Sequence, residues 1–206
     1  VDRTVVPGRG HRLGAMSPRR PSPLAGARPT RADLARFANG DPNALDDVLP
    51  EGALRGGNEP LQLLIVGVNP GLWTAAVNAP FAKPGNRFWP SLFRAGLTGH
   101  QIDASRGLTP EDEAHLYRRG IGITNLVGRA TARADELTRQ ELREGAARLV
   151  PRVRHLQPRV VAVAGITAFR TAFEMPRAVL GRQDASGIRG WPDAEELWEV
   201  PQPRGI

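Results

Sequence analysis

Short apolar runs recur along the chain from about residue 61, and amphipathic segments separate them. The runs 61–67 and 159–165 are rich in β-branched residues and too short to span a membrane, so each predicts a buried strand. Two shorter apolar stretches, 121–124 and 197–200, predict two further strands. Strands that alternate with helical segments are typical of a parallel sheet that is covered on both faces.

The segments between the strands carry helix signals. Thr30 with Asp33, and Thr138 with Glu141, have the capping-box spacing that opens a helix. The second of these helices has its apolar residues at helical spacing, although Pro151 falls inside it. Further helices are predicted near 90–96, where Phe88, Leu92 and Phe93 are expected to be buried, over 110–118 and over 166–174. The predicted fold class is α/β, a single three-layer domain with a central, mostly parallel sheet flanked by helices.

The first 29 residues lack this pattern. They are rich in Pro, Gly, Arg and Ser, so we predict a basic, flexible tail over 1–29 and one folded domain over 30–206. Residues 1–31 hold seven arginines and one acidic residue, which accounts for six of the seven net positive charges. Because the rest of the chain is almost neutral, a DNA-binding face on the domain has to come from locally segregated cations.

Several classes of protein are disfavoured by what the sequence lacks. The chain has no cysteine, and its four histidines are scattered, so we expect no disulfide and no metal site. The absence of a long apolar segment and of a signal-peptide pattern predicts a cytoplasmic protein without a membrane partner. Nucleotide-binding enzymes and serine hydrolases are also disfavoured, because no G-x-G-x-x-G, P-loop or G-x-S-x-G motif is present.

The candidate chemistry begins where the strand 61–67 ends. The sequence GVNPGL at 67–72 builds a turn and places Asn69 beyond the carboxyl end of a parallel strand, where α/β sheets bind their ligands. An aromatic loop, PFAKPGNRFW at 80–89, follows and leads into a helix. A polar turn beside an aromatic loop predicts a pocket for a flat ring.

Three blocks in this order resemble the mismatch-specific uracil-DNA glycosylases and the related thymine-DNA glycosylases: GVNPGL at 67–72, FAKPGNRFW at 81–89 and GIGITNLV at 120–127. The resemblance runs from about Leu61 to the end of the chain. It implies a uracil-DNA glycosylase-like fold and a monofunctional, cofactor-free enzyme. The expected activity is hydrolysis of the N-glycosidic bond of uracil, preferentially in G·U mismatches, and of other damaged pyrimidines. The implied partner is double-stranded DNA, bound by a monomer that associates with the nucleoid.

The resemblance makes Asn69 the catalytic residue that positions the attacking water, whereas its local interpretation is an Asx turn. The implied base pocket contains Val68, Pro70, Gly71, Phe81, Asn86 and Thr124. Phe81 either stacks on a flipped base or packs in the core. Asn86 either caps a helix or reads the base, and Thr124 with Asn125 faces either the backbone or the pocket.

Residues in the aromatic loop and at the end of the chain are predicted to bind DNA: Lys83, Arg87, Gln202, Arg204, Gly205 and Ile206. The segment PQPRGI at 201–206 resembles the family's Pro-Asn-Pro-Ser-Gly-Leu loop, which fills the gap left by the flipped nucleotide. A Schiff-base role for Lys83 is disfavoured against a solvated loop lysine. The alternative function is a catalytically weak DNA-binding protein that retains the glycosylase fold.

Overall fold

A five-stranded sheet forms the centre of the molecule, with strand order β2-β1-β3-β5-β4. The computed structural model describes residues 19–50 and 61–203. The strands are β1 (Leu63–Gly67), β2 (Ile121–Asn125), β3 (Val160–Ala164), β4 (Gly181–Gln183) and β5 (Glu196–Val200). β2, β1, β3 and β5 are parallel, and β4 pairs antiparallel to β5 at the edge. The predicted α/β domain with a mostly parallel sheet is therefore confirmed.

The helices are α1 (Arg31–Arg36), α2 (Leu72–Val77), α3 (Phe88–Arg94), α4 (Pro110–Arg118), α5 (Arg139–Leu156) and α6 (Ile166–Ala172), with a 3₁₀ turn at Ala134–Glu136. The capping boxes predicted at Thr30 and Thr138 are both present, and Thr109 forms another at the start of α4. Within the described ranges, every helix falls short of the length and apolarity that a membrane crossing requires.

The two faces of the sheet bury different helices. On one face, β-sheet residues such as Val161 and Leu197 pack against the apolar stripes of α5 and α6. On the other face, Ile65 and Ile123 pack against residues of α2, α3 and α4. Central strands covered on both faces explain why β1 and β3 are apolar at consecutive positions.

Some elements differ from the sequence predictions. Helix α2 was not predicted, because it has only six residues and no capping side chain. Helix α5 does continue through Pro151, as its apolar spacing predicted, and its buried stripe extends to Leu156. The short edge strand β4 was not predicted either. The prediction that Phe93 is buried is wrong, since α3 begins at Phe88 and leaves Phe93 43% exposed.

Residues 19–29, the described part of the predicted tail, lie against the domain. The guanidinium of Arg19 pairs with Glu113 of α4 and donates to the Asn78 carbonyl. Arg28 lies 5.5 Å above the ring of Trp73. These contacts are made by arginine side chains, so apolar periodicity gives no sign of them. Residues 1–18 of the predicted tail lie outside the described residues.

Candidate active site at the carboxyl edge of the sheet

The parallel strands all end at one edge of the sheet, and the chain continues to pair there beyond β1 and β2. Leu126 N–H donates to the Gly67 carbonyl at 2.9 Å, and Val127 N–H donates to the Val68 carbonyl at 2.9 Å. Thr131 N–H then reaches the Pro70 carbonyl at 3.1 Å. The segment 126–131 thus runs alongside the Asn-Pro-Gly turn and fixes its path.

The half-buried Asn69 carboxamide has a defined orientation. Its Nδ2 donates to three acceptors: the Thr131 hydroxyl at 2.8 Å, the Arg129 carbonyl at 3.0 Å and the Pro70 carbonyl at 3.2 Å. Because two of these acceptors are carbonyl oxygens, only the NH₂ group can occupy that side. No residue in the described ranges donates to Oδ1, which leaves this oxygen able to accept a hydrogen bond from a ligand or a water.

Phe81 and Asn125 meet at Gly67, two residues before Asn69. A Cβ placed on Gly67 would lie 2.4 Å from Asn125 Oδ1 and 3.4 Å from Phe81 Cζ. A side chain at position 67 would therefore displace the end of the Asn125 carboxamide. An aromatic ring and a carboxamide converge beside the Asn69 turn, and this is the group of residues that a flat, polar ring would contact.

The aromatic loop is held in an unusual conformation. Phe81 has φ 54°, a left-handed conformation that costs a bulky residue about 1–2 kcal/mol. Its ring stacks on that of Phe88 with centroids 3.8 Å apart, so one face of the ring is covered. Trp89 Nε1 donates to the Pro80 carbonyl at 3.1 Å and ties the loop to α3. Asn86 Oδ1 accepts from Phe88 N–H at 2.8 Å, which forms an Asx turn immediately before α3, whose N-cap residue is Arg87.

Two residues of the predicted pocket face the opposite side of the sheet. Thr124 is buried, and its hydroxyl accepts from Arg152 of α5 at 2.9 Å. Val68 packs in the core beneath α5 and α6. Because side chains alternate along a strand, the residue of β2 that reaches Phe81 is Asn125 rather than Thr124. Asn125 shares its face of β2 with Ile121 and Ile123, and the packing of these two residues beside Phe81 identifies that face.

The remaining predicted positions are distributed along the edge. Pro70 is buried in the turn, and Gly71 is exposed, with open space where a Cβ would lie. Lys83 and Arg87 are exposed, and together with Phe81 and Asn86 they line a cleft of about 580 Å³. Gln202 follows β5, and its side chain lies within 4 Å of the Cβ position of Gly165. The predictions for Arg204, Gly205 and Ile206 lie outside the described residues.

Charge around the site is organised by an ion pair that the sequence analysis missed. The Arg129 Nε donates to Glu141 at 2.8 Å, and this hydrogen bond is the main reason that the pKa of Glu141 falls to about 2. The same hydrogen bond raises the pKa of Arg129. Within 19–50 and 61–203, no cluster of three or more His, Asp or Glu side chains is arranged to hold a metal ion.

A second ionisable group, Glu199 on β5, is buried, and the charge of Arg170 offsets part of the cost of burying it. Its side chain is 1% exposed, and its two carboxylate oxygens accept no hydrogen bond from the described residues. Burial raises the pKa of this carboxyl, because desolvation disfavours its charged form.

A comparison with protein families identifies the family to which this fold belongs. The uracil DNA glycosylase superfamily matches residues 55–206, a range that contains the whole sheet, every helix except α1 and the complete carboxyl edge. The match covers most of the chain, including Asn69, Phe81 and Asn125. The chain therefore belongs to the uracil DNA glycosylase superfamily, and this membership implies DNA glycosylase activity on uracil.

Proposed function

We propose that this protein is a monofunctional, mismatch-specific uracil-DNA glycosylase. It hydrolyses the N-glycosidic bond of uracil, preferentially opposite guanine, with a water held by Asn69. The observation that carries the proposal is the orientation of the Asn69 carboxamide, whose Nδ2 donates to three protein acceptors while Oδ1 is left for a ligand. The coarser activity on uracil follows from the family, whereas the role of Asn69, the monofunctional mechanism and the opposing-base preference are what we propose.

The chemistry requires little from a side chain at this position. Cleavage gives the sugar oxocarbenium character and releases a uracil anion, so a placed water and donors for the departing base are sufficient. A neutral carboxamide oxygen accepts a hydrogen bond from the water and so directs a lone pair of the water oxygen at the sugar. It does not take the proton of the water in the rate-limiting step. The rate enhancement then comes from positioning and electrostatic stabilisation.

Phe81 and Asn125 would hold the base. A duplex base has to leave the stack before its glycosidic bond is accessible, and an aromatic face is a suitable receptor for it. Phe88 covers one face of the half-buried Phe81 ring, so a flipped base would stack on the opposite face. The Asn125 carboxamide offers both a donor and an acceptor, which match a carbonyl and a ring N–H on the edge of uracil.

The surroundings suit double-stranded DNA. Lys83 and Arg87 are exposed in the loop that carries Phe81, where their charges can contact phosphates that flank a flipped nucleotide. Gln202 lies at the same edge, after β5. We propose that the protein acts as a monomer on DNA in the cytoplasm and needs no cofactor.

The direct test uses purified protein and labelled duplexes that carry G·U, A·U or G·T, together with single-stranded uracil. Alkaline cleavage of abasic products measures excision. Asn69→Ala should lower the single-turnover rate on G·U by about 100-fold, since one positioning contact is worth a few kcal/mol. Asn39→Ala, at an exposed asparagine of the same domain, is the control and should leave the rate unchanged.

Two outcomes would contradict the proposal. A near-wild-type rate for Asn69→Ala would remove this residue from the mechanism. Tight binding of every duplex without any excision would favour the alternative, a DNA-binding protein that retains the fold.

A further inference from the structure

The orientation of Asn69 depends on a segment that strand pairing does not fully hold. Two of the three acceptors of Asn69 Nδ2, the Arg129 carbonyl and the Thr131 hydroxyl, belong to the segment 126–131. The backbone of this segment pairs with the Asn-Pro-Gly turn through Val127 and again through Thr131. Arg129 lies between these two points, so the position of its carbonyl depends on other contacts.

The side chain of Arg129 supplies those contacts. Its guanidinium donates to both carboxylate oxygens of Glu141, at 2.8 and 3.2 Å, and to the Glu136 carbonyl at 3.2 Å. On the other side, a Cβ on Gly128 would lie 1.9 Å from the Pro42 carbonyl oxygen, so the backbone there is pressed against a neighbouring segment. The Arg129 carbonyl, which accepts from Asn69 Nδ2, is thus fixed by contacts on both sides of its segment.

Glu141 is itself fixed at the start of α5. Its carboxylate accepts from the Thr138 backbone N–H at 2.8 Å and from the Thr138 hydroxyl at 2.9 Å, as the third residue of a capping box. The hydrogen bond from Arg129 and the one from the Thr138 backbone hold the pKa of Glu141 at about 2. The pair is therefore fully charged at every pH at which the protein would be assayed.

We propose that Arg129 is a positioning residue for Asn69, acting through the Arg129–Glu141 ion pair that links the water-binding carboxamide to the first turn of α5. The inference rests on the proposed function of Asn69. Both side chains of the pair are about 29% and 28% exposed, and pairs that solvent reaches contribute little to folding stability. The principal effect of the pair is on the geometry of Asn69, where a misplacement of about 1 Å is costly.

A neighbouring ion pair provides the matched control. Arg133 and Asp135 lie in the same loop and form an ion pair of the same type, but their side chains are 75% and 63% exposed. In the described ranges neither residue hydrogen-bonds to Asn69 or to its acceptors. Removing this pair alters the charge of the loop and leaves the support of Asn69 intact.

The test is a double-mutant cycle read by single-turnover excision on G·U duplex. Arg129→Ala should lower the rate by about 10-fold with little change in the Kd for DNA, and Arg129→Lys should recover part of the loss. Glu141→Gln should lower the rate in the same direction, which covers the case in which Arg129→Ala folds poorly. Arg133→Ala should remain within about 2-fold of the wild type.

The Asn69→Ala background separates positioning from a structural or charge effect. If Arg129 acts through Asn69, then adding Arg129→Ala to Asn69→Ala should change the rate by less than about 2-fold. An undiminished 10-fold loss in that background, or no loss in the wild-type background, would overturn the proposal.

A readout that needs no activity uses the side-chain amide signals of Asn69 in NMR, assigned by their loss in Asn69→Ala. These protons should exchange slowly with solvent in the wild type and faster in Arg129→Ala. Unchanged exchange would overturn the role of Arg129. A wild-type protein that does not excise uracil would instead overturn the proposed function, and the exchange measurement would still decide the positioning role.

Discussion

Gly67→Ala should separate the proposed base-binding group from the stability of the fold. The backbone of Gly67 is in β1, and its φ is outside the left-handed region, so alanine meets no conformational strain there. The new Cβ would lie 2.4 Å from Asn125 Oδ1, the end of a short side chain. Real Cβ contacts are rarely below 3.0–3.4 Å, so the carboxamide has to move outward by roughly 0.6–1.0 Å.

A displacement of this size is small for the fold and large for a hydrogen bond to a base. We expect the melting temperature to change by only a few degrees, since alanine also lowers the entropy of the unfolded chain. Single-turnover excision on G·U duplex should fall by about 10- to 100-fold, because a misplacement of about 1 Å in a reacting complex has that cost.

Gly187→Ala is the matched control for the same substitution. Gly187 is exposed and lies outside the predicted site, and a Cβ there would meet no atom within 4 Å. The rate on uracil should stay within about 2-fold of the wild type. Wild-type excision by Gly67→Ala would refute the role of Asn125, and a collapse of its melting temperature would show that the site and the core cannot be separated at this position.

Three further predictions concern other parts of the molecule. Burial raises the pKa of Glu199 above its ordinary 4.5, so the free energy of unfolding decreases as pH rises through the folded-state pKa. Glu199→Gln should therefore melt higher than the wild type by roughly 2–4 °C near neutral pH. This gain should shrink in thermal scans near pH 4, where the wild-type carboxyl is protonated. Deleting 1–18, which carries three arginines, should weaken non-specific DNA binding and its salt dependence in titrations at varied salt, and should preserve the melting temperature. A deletion through residue 29 should lower the melting temperature, because it also removes the ion pair between Arg19 and Glu113. G·U and single-stranded uracil should be excised faster than A·U, since a mispaired or unpaired base is easier to unstack, and equal rates would contradict this.

Local sequence was sufficient to predict the central fold and the position of Asn69. A strand that ends in a turn is encoded by adjacent residues, and so are the capping boxes at Thr30 and Thr138. The strands β1 and β3 were predicted within two residues of their ends, because central parallel strands are apolar throughout. The location of the site at the carboxyl edge then follows from the topology of a parallel sheet.

Two features of the site could not be predicted from local sequence patterns. Whether Thr124 or Asn125 faces the aromatic loop depends on the register of β2, where a shift of one residue exchanges the two faces. The pairing of Arg129 with Glu141 joins a loop to a helix start, and neither residue differs in type from the many other charged residues of the chain. Long-range side-chain contacts of this kind leave no periodic signal.

The contacts of Asn69 also explain why an amide suits this position better than an acid. An aspartate would place a second carboxylate oxygen near the carbonyls of Pro70 and Arg129, where Asn69 Nδ2 now donates at 3.2 and 3.0 Å. Two acceptors facing each other repel, so a charged carboxylate would leave the position or take up a proton, and in either case it would cease to act as a base. These hydrogen bonds thus select a neutral side chain, and in the proposed mechanism the reaction draws its rate from positioning and electrostatic stabilisation rather than from proton abstraction.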